Sequence, residues 1–492
     1  MNYTSTRNAS LRFSSSHCFV QGISEEGGLF VPESFPVFSE REIAALADVP
    51  YSERAFRLLS RYLTDFSAKE LRSCIAGAYG TAFDTPAVCP LRKLDGKTFV
   101  MELYHGPTLA FKDVALQILP HFLRIAKQKE GVSDTILILV ATSGDTGKAA
   151  LEGFADVDGM AIAVFFPNQG VSRMQQLQMT TQEGKNVFVC AVNGNFDDTQ
   201  TGVKEIFTSP DVRAKLQEKH IRLSSANSIN WGRLVPQIVY YFSAYADLLR
   251  ENEIASGQPV DFVVPTGNFG DILAGYYAKR MGLPIRKLVC ASNKNRVLTD
   301  FFETGVYDAN RAFFKTASPS MDILISSNLE RLLFELSGRD DAFVSDLMRQ
   351  LKETGQYRLP DVMHRALTET WEAGCADEAQ TARAIRDAFD RFGYCIDTHT
   401  AVGYAVQARR ASDVPTVLLS TASPYKFPRA VLSAVEGTAP EDEFAAADRL
   451  AQLGVPMPDA IANLHDKAIR HKTVCEKATM AQAVLSWEGE TL

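Results

Sequence analysis

The sequence predicts two open, mainly parallel α/β domains, and three observations carry that expectation. Unbroken apolar, β-branched runs recur at 135–140, 161–166, 186–192, 262–264, 285–291 and 416–420. Helical patterns lie between them, and Gly- or Thr-rich loops follow three of them. Strands buried on both faces read as continuous apolar segments, and strands alternating with helices build parallel βαβ units. A helical stretch at 222–250 separates two such series.

In chain order, residues 1–95 form an N-terminal domain with a turn-rich opening at 25–32 and helices near 40–46 and 52–63. Residues 96–130 and 225–438 form the larger α/β domain. Residues 131–224 form the smaller one, with strands at 135–140, 161–166 and 186–192. Ser172 is placed to cap a helix over 173–182, and Asp197 to open another. The charged segment 329–392 reads as a helical cover on the larger domain. Residues 439–492 read as a polar extension containing Pro456 and Pro458.

Composition narrows the function classes. At ~100–200 residues per domain, 492 residues suggest two to four domains. A formal net charge of −8 argues against nonspecific nucleic-acid binding, which needs a basic face. The eight cysteines are scattered, with neither a disulfide frame nor a zinc ligand set, so a reducing cytoplasm is expected. The N-terminus has no apolar signal core, and no run approaches the ~18 apolar residues a bilayer span needs. No metal is expected, because the histidines lack ligand spacing. No Gly-x-Ser-x-Gly elbow occurs.

The chemistry-bearing loops lie where α/β sheets bind ligands, at the carboxyl ends of strands. The loop Thr266-Gly267-Asn268-Phe269-Gly270-Asp271 can curl so that successive N–H groups face one anion at a helix N-terminus. A plain βα turn reads the same way. Ser143-Gly144-Asp145-Thr146-Gly147 has the same placement. An ATP-binding P-loop is excluded there, since Thr142 and Ala149 stand where that motif needs Gly and Ser or Thr. Lys112 follows Phe111 and opens a buried-helix pattern. Desolvation and a helix dipole would disfavour its ammonium form, while the Asp113 charge favours it. An activated amine and a surface lysine both remain open on local grounds. His399 reads as an acid/base or as a structural hydrogen-bonding group.

Together, the segments 27–32, 105–113, 141–147, 225–230, 267–271 and 421–427 resemble the threonine synthase family, pyridoxal-phosphate enzymes of the tryptophan-synthase-β-like fold (PLP fold type II). The likeness spans roughly residues 3–435. It implies that Lys112 is the catalytic lysine that carries pyridoxal 5'-phosphate as a Schiff base. It implies a cofactor-phosphate loop of Gly267, Asn268, Phe269, Gly270 and Asp271, and Thr421 as partner of the ring nitrogen. A hydroxyl can bond that nitrogen without forcing its protonation. The implied reaction takes O-phospho-L-homoserine and water to L-threonine and phosphate, the last step of threonine biosynthesis. Ser143, Asp145, Thr146, Asn227, Arg233 and Lys426 are the candidates for binding substrate. Arg233 is the best bidentate anion binder among them. Asp145 is out of place in an anion loop, and is expected to order the loop or meet the substrate amine.

The family often has His and Ala where this chain has Ser423 and Tyr425, which removes an imidazole from beside the cofactor. A small-molecule substrate is the only partner expected, with no nucleic acid and no membrane. The oligomeric state is left open, a monomer included. Two rivals stand beside this reading: a dehydratase or phospho-lyase of the same fold that releases a 2-oxo acid, and a binding protein that has kept the fold.

Overall fold

The computed structural model describes every residue except Ser143, Gly170 and 488–492. Two sheets organise it. The larger has six strands in the order Trp371–Cys375, Ile285–Ser292, Val260–Pro265, Thr416–Ser420, Thr98–Glu102, Leu91–Lys93. All neighbours are parallel except the last pair. The smaller has five parallel strands in the order Thr473–Glu476, Val187–Asn193, Met160–Pro167, Thr135–Ala141, Ile221–Ser224. The apolar runs became strands because both sheets are covered on both faces: Val260–Pro265 and Met160–Pro167 are buried at every position.

Several strands depart from the sequence expectation, among them Gln356–Arg358, which lies in the segment read as a helical cover and pairs with Val306–Asp308. Trp371–Cys375 lies inside the segment read as a helical cover, yet forms the edge of the larger sheet. Ile221–Ser224 begins the stretch read as helical and closes one edge of the smaller sheet. Both are short, and neither has the unbroken apolar run that marks a central strand. Thr473–Glu476 lies in the C-terminal stretch and pairs with Val187–Asn193 at the other edge. The helix expected to open at Asp197 begins at Phe196, because Asn195 and Asp198 form a reciprocal capping box. Ser172 does cap the helix Arg173–Thr180, accepting from the Gln175 N–H.

The helix Gln237–Arg250 is buried along Gln237 to Leu248 and packs on the helix Gly270–Arg280. Gly275 makes that approach possible, since a Cβ there would stand 2.7 Å from the Tyr241 ring. The seating matters because Gly270–Arg280 starts directly from the 266–271 loop. The N-terminal segment forms a three-stranded antiparallel sheet of Asn8–Phe13, Tyr3–Ser5 and Phe30–Pro32. Fully buried Arg331 ties it to the rest of the chain, donating to the Phe30 carbonyl at 2.9 Å and the Ile229 carbonyl at 2.6 Å. Among the described residues, no helix is long and apolar enough to cross a membrane.

Candidate active site

The carboxyl ends of strands from both sheets converge on Lys112. The chain leaves Thr98–Glu102, turns through Leu109 at a φ of 62°, and docks beside the end of Thr416–Ser420. There the Phe111 N–H donates to the Thr421 carbonyl at 2.9 Å, and the Ser423 N–H to the Leu109 carbonyl at 3.0 Å. Asp113 tightens the turn, accepting from the Thr108 N–H at 2.8 Å and the Thr108 hydroxyl at 2.6 Å. Gly106 leaves room for it, as a Cβ there would stand 2.4 Å from the Asp113 Cβ. Burial pushes the Asp113 carboxyl up to about 6 against the pull of those hydrogen bonds.

Lys112 starts a five-residue helix, Lys112–Leu116, in which every residue is buried. Its Nζ donates to Ser320 Oγ at 3.2 Å, stands 3.8 Å from Asp145 Oδ2, and lies 5.0 Å from the Phe111 ring centroid. Burial lowers its pKa. The Asp145 charge opposes this, and Arg233 and Lys426 reinforce it. The structure therefore removes the surface-lysine reading that the local sequence left open.

Asp145 joins the two sheets. It is the first residue of the helix Asp145–Phe154, which follows Thr135–Ala141 in the smaller sheet. Its Oδ1 pairs with Lys426 Nζ at 3.0 Å and accepts from Gln175 Nε2 at 3.1 Å. Burial pushes this carboxyl up, but Lys426, Lys112 and His399 outweigh burial and hold it below the ordinary carboxylate range. Lys426 also donates to Gln178 Oε1 at 2.9 Å. The aspartate that looked misplaced in an anion loop is thus the counter-ion of two buried amines. The loop is set by Thr142, whose Oγ1 accepts from the Gly144 and Gly147 N–H groups, each at 3.0 Å. Thr146 is half-buried on the first helical turn. Ser143 lies outside the described residues.

Across from Asp145 runs the loop 266–271. Phe269 has a left-handed backbone (φ 65°), and its ring is buried against Trp371, with centroids 5.2 Å apart. The Asn268 carbonyl is held by Asn328 through its backbone N–H at 3.1 Å and its Nδ2 at 3.0 Å. The N–H groups of Gly267, Asn268 and Phe269 meet no acceptor among the described residues. Successive free donors at a helix start suit a phosphate group. Asp271 points away from that use. Its Oδ1 accepts from the Tyr240 hydroxyl and, at 3.0 Å, from the Tyr241 hydroxyl, and burial raises it to about 7.

Arg233 is 3% exposed, donates to the Ala226 carbonyl at 2.5 Å, and has no carboxylate partner among the described residues. Its Nε is buried without a partner, and burial brings the group down to about 10. A buried guanidinium without a counter-ion is costly and is relieved by a bound anion. Asn227 is exposed on the same loop, with its N–H 3.2 Å from Ser225 Oγ.

Sequence reasoning missed Ser320, Gln175 and Gln178. The glutamines lie on one helical face at i and i+3, a pattern that carries no chemistry by itself. Ser320 sits in a polar loop with no spacing signal. His399 is buried between Asp397, which its Nδ1 meets at 2.7 Å, and the Ser320 N–H, which its Nε2 accepts at 3.1 Å. Of its two open readings, the structure supplies the hydrogen bonds of the structural one. At the departure from the family pattern, Ser423 caps a short turn by accepting from the Tyr425 N–H. Fully buried Tyr425 donates its hydroxyl to the Val455 carbonyl at 2.7 Å.

These groups fit pyridoxal phosphate. There is a buried amine with a lowered pKa, a run of free N–H donors for the phosphate, and a 6% exposed Thr421 beside the amine's own loop. Among the described residues, no cluster of three or more His, Cys, Asp or Glu could hold a metal.

The chain is similar to known proteins over its whole length. A family model for the threonine synthase N terminus matches residues 2–79, one for pyridoxal-phosphate dependent enzymes matches 83–417, and one for the threonine synthase C-terminal region matches 400–484. Threonine synthase of Pseudomonas aeruginosa is 39% identical and covers 99% of both chains. Threonine synthase-like 1 of Macaca fascicularis is 43% identical over 86% of this chain, which spans only 58% of that longer protein. Among solved structures, PLP-bound threonine synthase of Brucella melitensis superposes with a TM-score of 0.89 at 39% identity, covering 99% of both chains. The yeast threonine synthase structure gives 0.90 at 30% identity, covering 100% of this chain and 99% of that one.

Proposed function

The chain belongs to the threonine synthase family of pyridoxal-phosphate-dependent enzymes, and from that premise we propose that it converts O-phospho-L-homoserine and water to L-threonine and phosphate. The cofactor, when bound, supplies an electron sink for the charge left by breaking a C–H bond beside the amino-bearing carbon. Lys112 would hold the cofactor through its aldehyde, the N–H groups of Gly267, Asn268 and Phe269 would hold its phosphate, and the Thr421 hydroxyl would serve its ring nitrogen.

The rest is done by this chain's own side chains. Lys112, as a free neutral amine, would take the α proton of the substrate and, after giving that proton up, a β proton. Its burial keeps the neutral amine accessible for those transfers. Arg233 binds the substrate's phosphate or carboxylate bidentately, and Lys426 adds a second cation. Thr146, Ser143 and Asn227 supply neutral donors around that anion. Asp145 keeps both amines aimed into the site. Closure of the 131–224 unit over the substrate excludes premature water.

One arrangement carries the reading: among the described residues, the N–H groups of 267–269 meet no acceptor and the buried Arg233 has no carboxylate partner, and Ser320 links that loop to Lys112 while the Arg233 charge acts on the same amine. A reducing cytoplasm remains the working compartment we propose, on the scattered placement of the eight cysteines in the sequence. The test is a product analysis of the cofactor-loaded protein given O-phospho-L-homoserine. Phosphate and threonine formed in equal amounts support the reading. A 2-oxo acid in place of threonine replaces it with the phospho-lyase.

A further inference from the structure

We propose that Ser320 is a positioning residue for this reaction: its hydroxyl acts as a spacer that stops Lys112 from collapsing into a direct ion pair with Asp145. The proposal rests on the function given above and adds a residue to it. Ser320 Oγ accepts from Lys112 Nζ at 3.2 Å and donates to Asp145 Oδ2 at 3.3 Å, while Nζ and Oδ2 stay 3.8 Å apart. That separation exceeds hydrogen-bond length, so the hydroxyl makes the contact that the two charges do not. A hydroxyl can accept and donate at once, which this position requires.

The Ser320 backbone is fixed independently of its side chain. Its N–H donates to His399 Nε2 at 3.1 Å, and His399 Nδ1 meets Asp397 Oδ2 at 2.7 Å, so Nε2 is free to accept. Behind it stands the phosphate loop, where a Cβ on Gly267 would come within 2.5 Å of the Ser320 carbonyl oxygen. One short turn, Pro319–Met321, therefore registers the amine, the carboxylate of the smaller sheet and the phosphate loop against each other.

The functional consequence follows from what Lys112 must do. An amine that shuttles protons has to release them, and a tight salt bridge to Asp145 would trap the ammonium form. The other charged groups acting on Nζ are Arg233, Lys426 and Asp113, and among the described residues the side-chain hydrogen bonds of Ser320 go to none of these but to Lys112 and Asp145. Closing the gap from 3.8 Å to ordinary salt-bridge contact at a dielectric near 20 lowers the neutral fraction of the amine roughly tenfold, about one pH unit.

The experiment compares wild type, Ser320→Ala and Ser320→Thr. In protein stripped of cofactor, acylation of Lys112 by acetic anhydride is followed against pH by peptide mass spectrometry. In loaded protein, kcat and KM are followed against pH. The spacer predicts that the Lys112 midpoint rises by about one unit in Ser320→Ala and stays at the wild-type value in Ser320→Thr. It also predicts that the acid limb of kcat moves with the midpoint while KM changes little. A midpoint in Ser320→Ala that stays put or falls overturns the proposal. The two readings fail separately. Wild type that makes threonine with no Ser320 effect sinks the spacer alone, and a shifted midpoint in a protein that makes no threonine sinks the function alone.

Discussion

Replacing Asp145 with Asn removes the one negative charge between two buried amines. The wild-type distances are 3.0 Å to Lys426 and 3.8 Å to Lys112. At an effective dielectric near 20 these attractions amount to about 5.5 and about 4.4 kcal/mol. Desolvation of the ions offsets several kcal/mol of that, and breaking one partner out of a buried pair costs about 3–5 kcal/mol. A chain of 492 residues loses about 1 kcal/mol per degree near its melting temperature, so Asp145→Asn lowers Tm by about 3–5 °C. Burial raises the Asp145 carboxyl and Lys426, Lys112 and His399 lower it, with the net result below its ordinary value. A depressed acid stabilises the fold above its unfolded pKa of ~3.9 and loses that contribution as pH falls through the folded value. The deficit of Asp145→Asn therefore persists from neutral pH down to mild acid and closes only in strong acid. Thermal melts of wild type, Asp145→Asn, Lys426→Met and the double variant, at one scan rate, provide the assay. The double variant is predicted to melt well above the sum of the single losses. Strict additivity, or an Asp145→Asn melt within about 1 °C of wild type, refutes the reasoning.

Three further outcomes follow from the site. Arg233→Lys keeps the charge but loses the fork that grips a carboxylate or phosphate, so the substrate KM rises roughly ten- to a hundredfold in steady-state assays. Gly267→Ala places a Cβ 2.5 Å from the Ser320 carbonyl oxygen. That overpacking costs about 1–3 kcal/mol and distorts the phosphate loop, so cofactor retained per chain after gel filtration falls. Asp271 is raised from 3.8 to about 7 by burial against the pull of its two tyrosine hydrogen bonds. A raised acid gives full stability below its unfolded pKa and loses it as pH rises through the folded one. At pH 8 the wild type has given up about 4 kcal/mol that Asp271→Asn keeps, since Asn Oδ1 still accepts from both tyrosines. Melts at pH 8 and pH 5 check this: the variant's advantage is present at the first and shrinks at the second.

The sequence reveals those features that leave a local trace. Central strands such as Val260–Pro265 and Met160–Pro167 were legible because burial on both faces demands unbroken apolar runs. Trp371–Cys375 and Thr473–Glu476 were not, because an edge strand needs only one good neighbour and carries a mixed pattern. Ser172 announced its helix, since a cap is a local hydrogen bond. The site divides the same way. The glycines of the 266–271 loop stand out in the chain, whereas the polar partners of Lys112, Ser320 and Asp145, come from distant segments. Asp145 looked anomalous beside its neighbours because its partner Lys426 lies 281 positions on. Asp113, adjacent to Lys112, does favour its charged form, but its hydrogen bonds go to Thr108. Adjacency in sequence fixed neither pairing, because backbone direction decides which way a side chain faces.

The central claim is that Lys112 performs the proton transfers of threonine formation. It is tested most directly by adding O-phospho-L-homoserine to wild type and to Lys112→Ala, both supplied with pyridoxal phosphate, and measuring phosphate and threonine together. Equal release of the two products by wild type, with neither formed by Lys112→Ala, is the predicted result. Threonine formed by Lys112→Ala at a rate near that of wild type would contradict it.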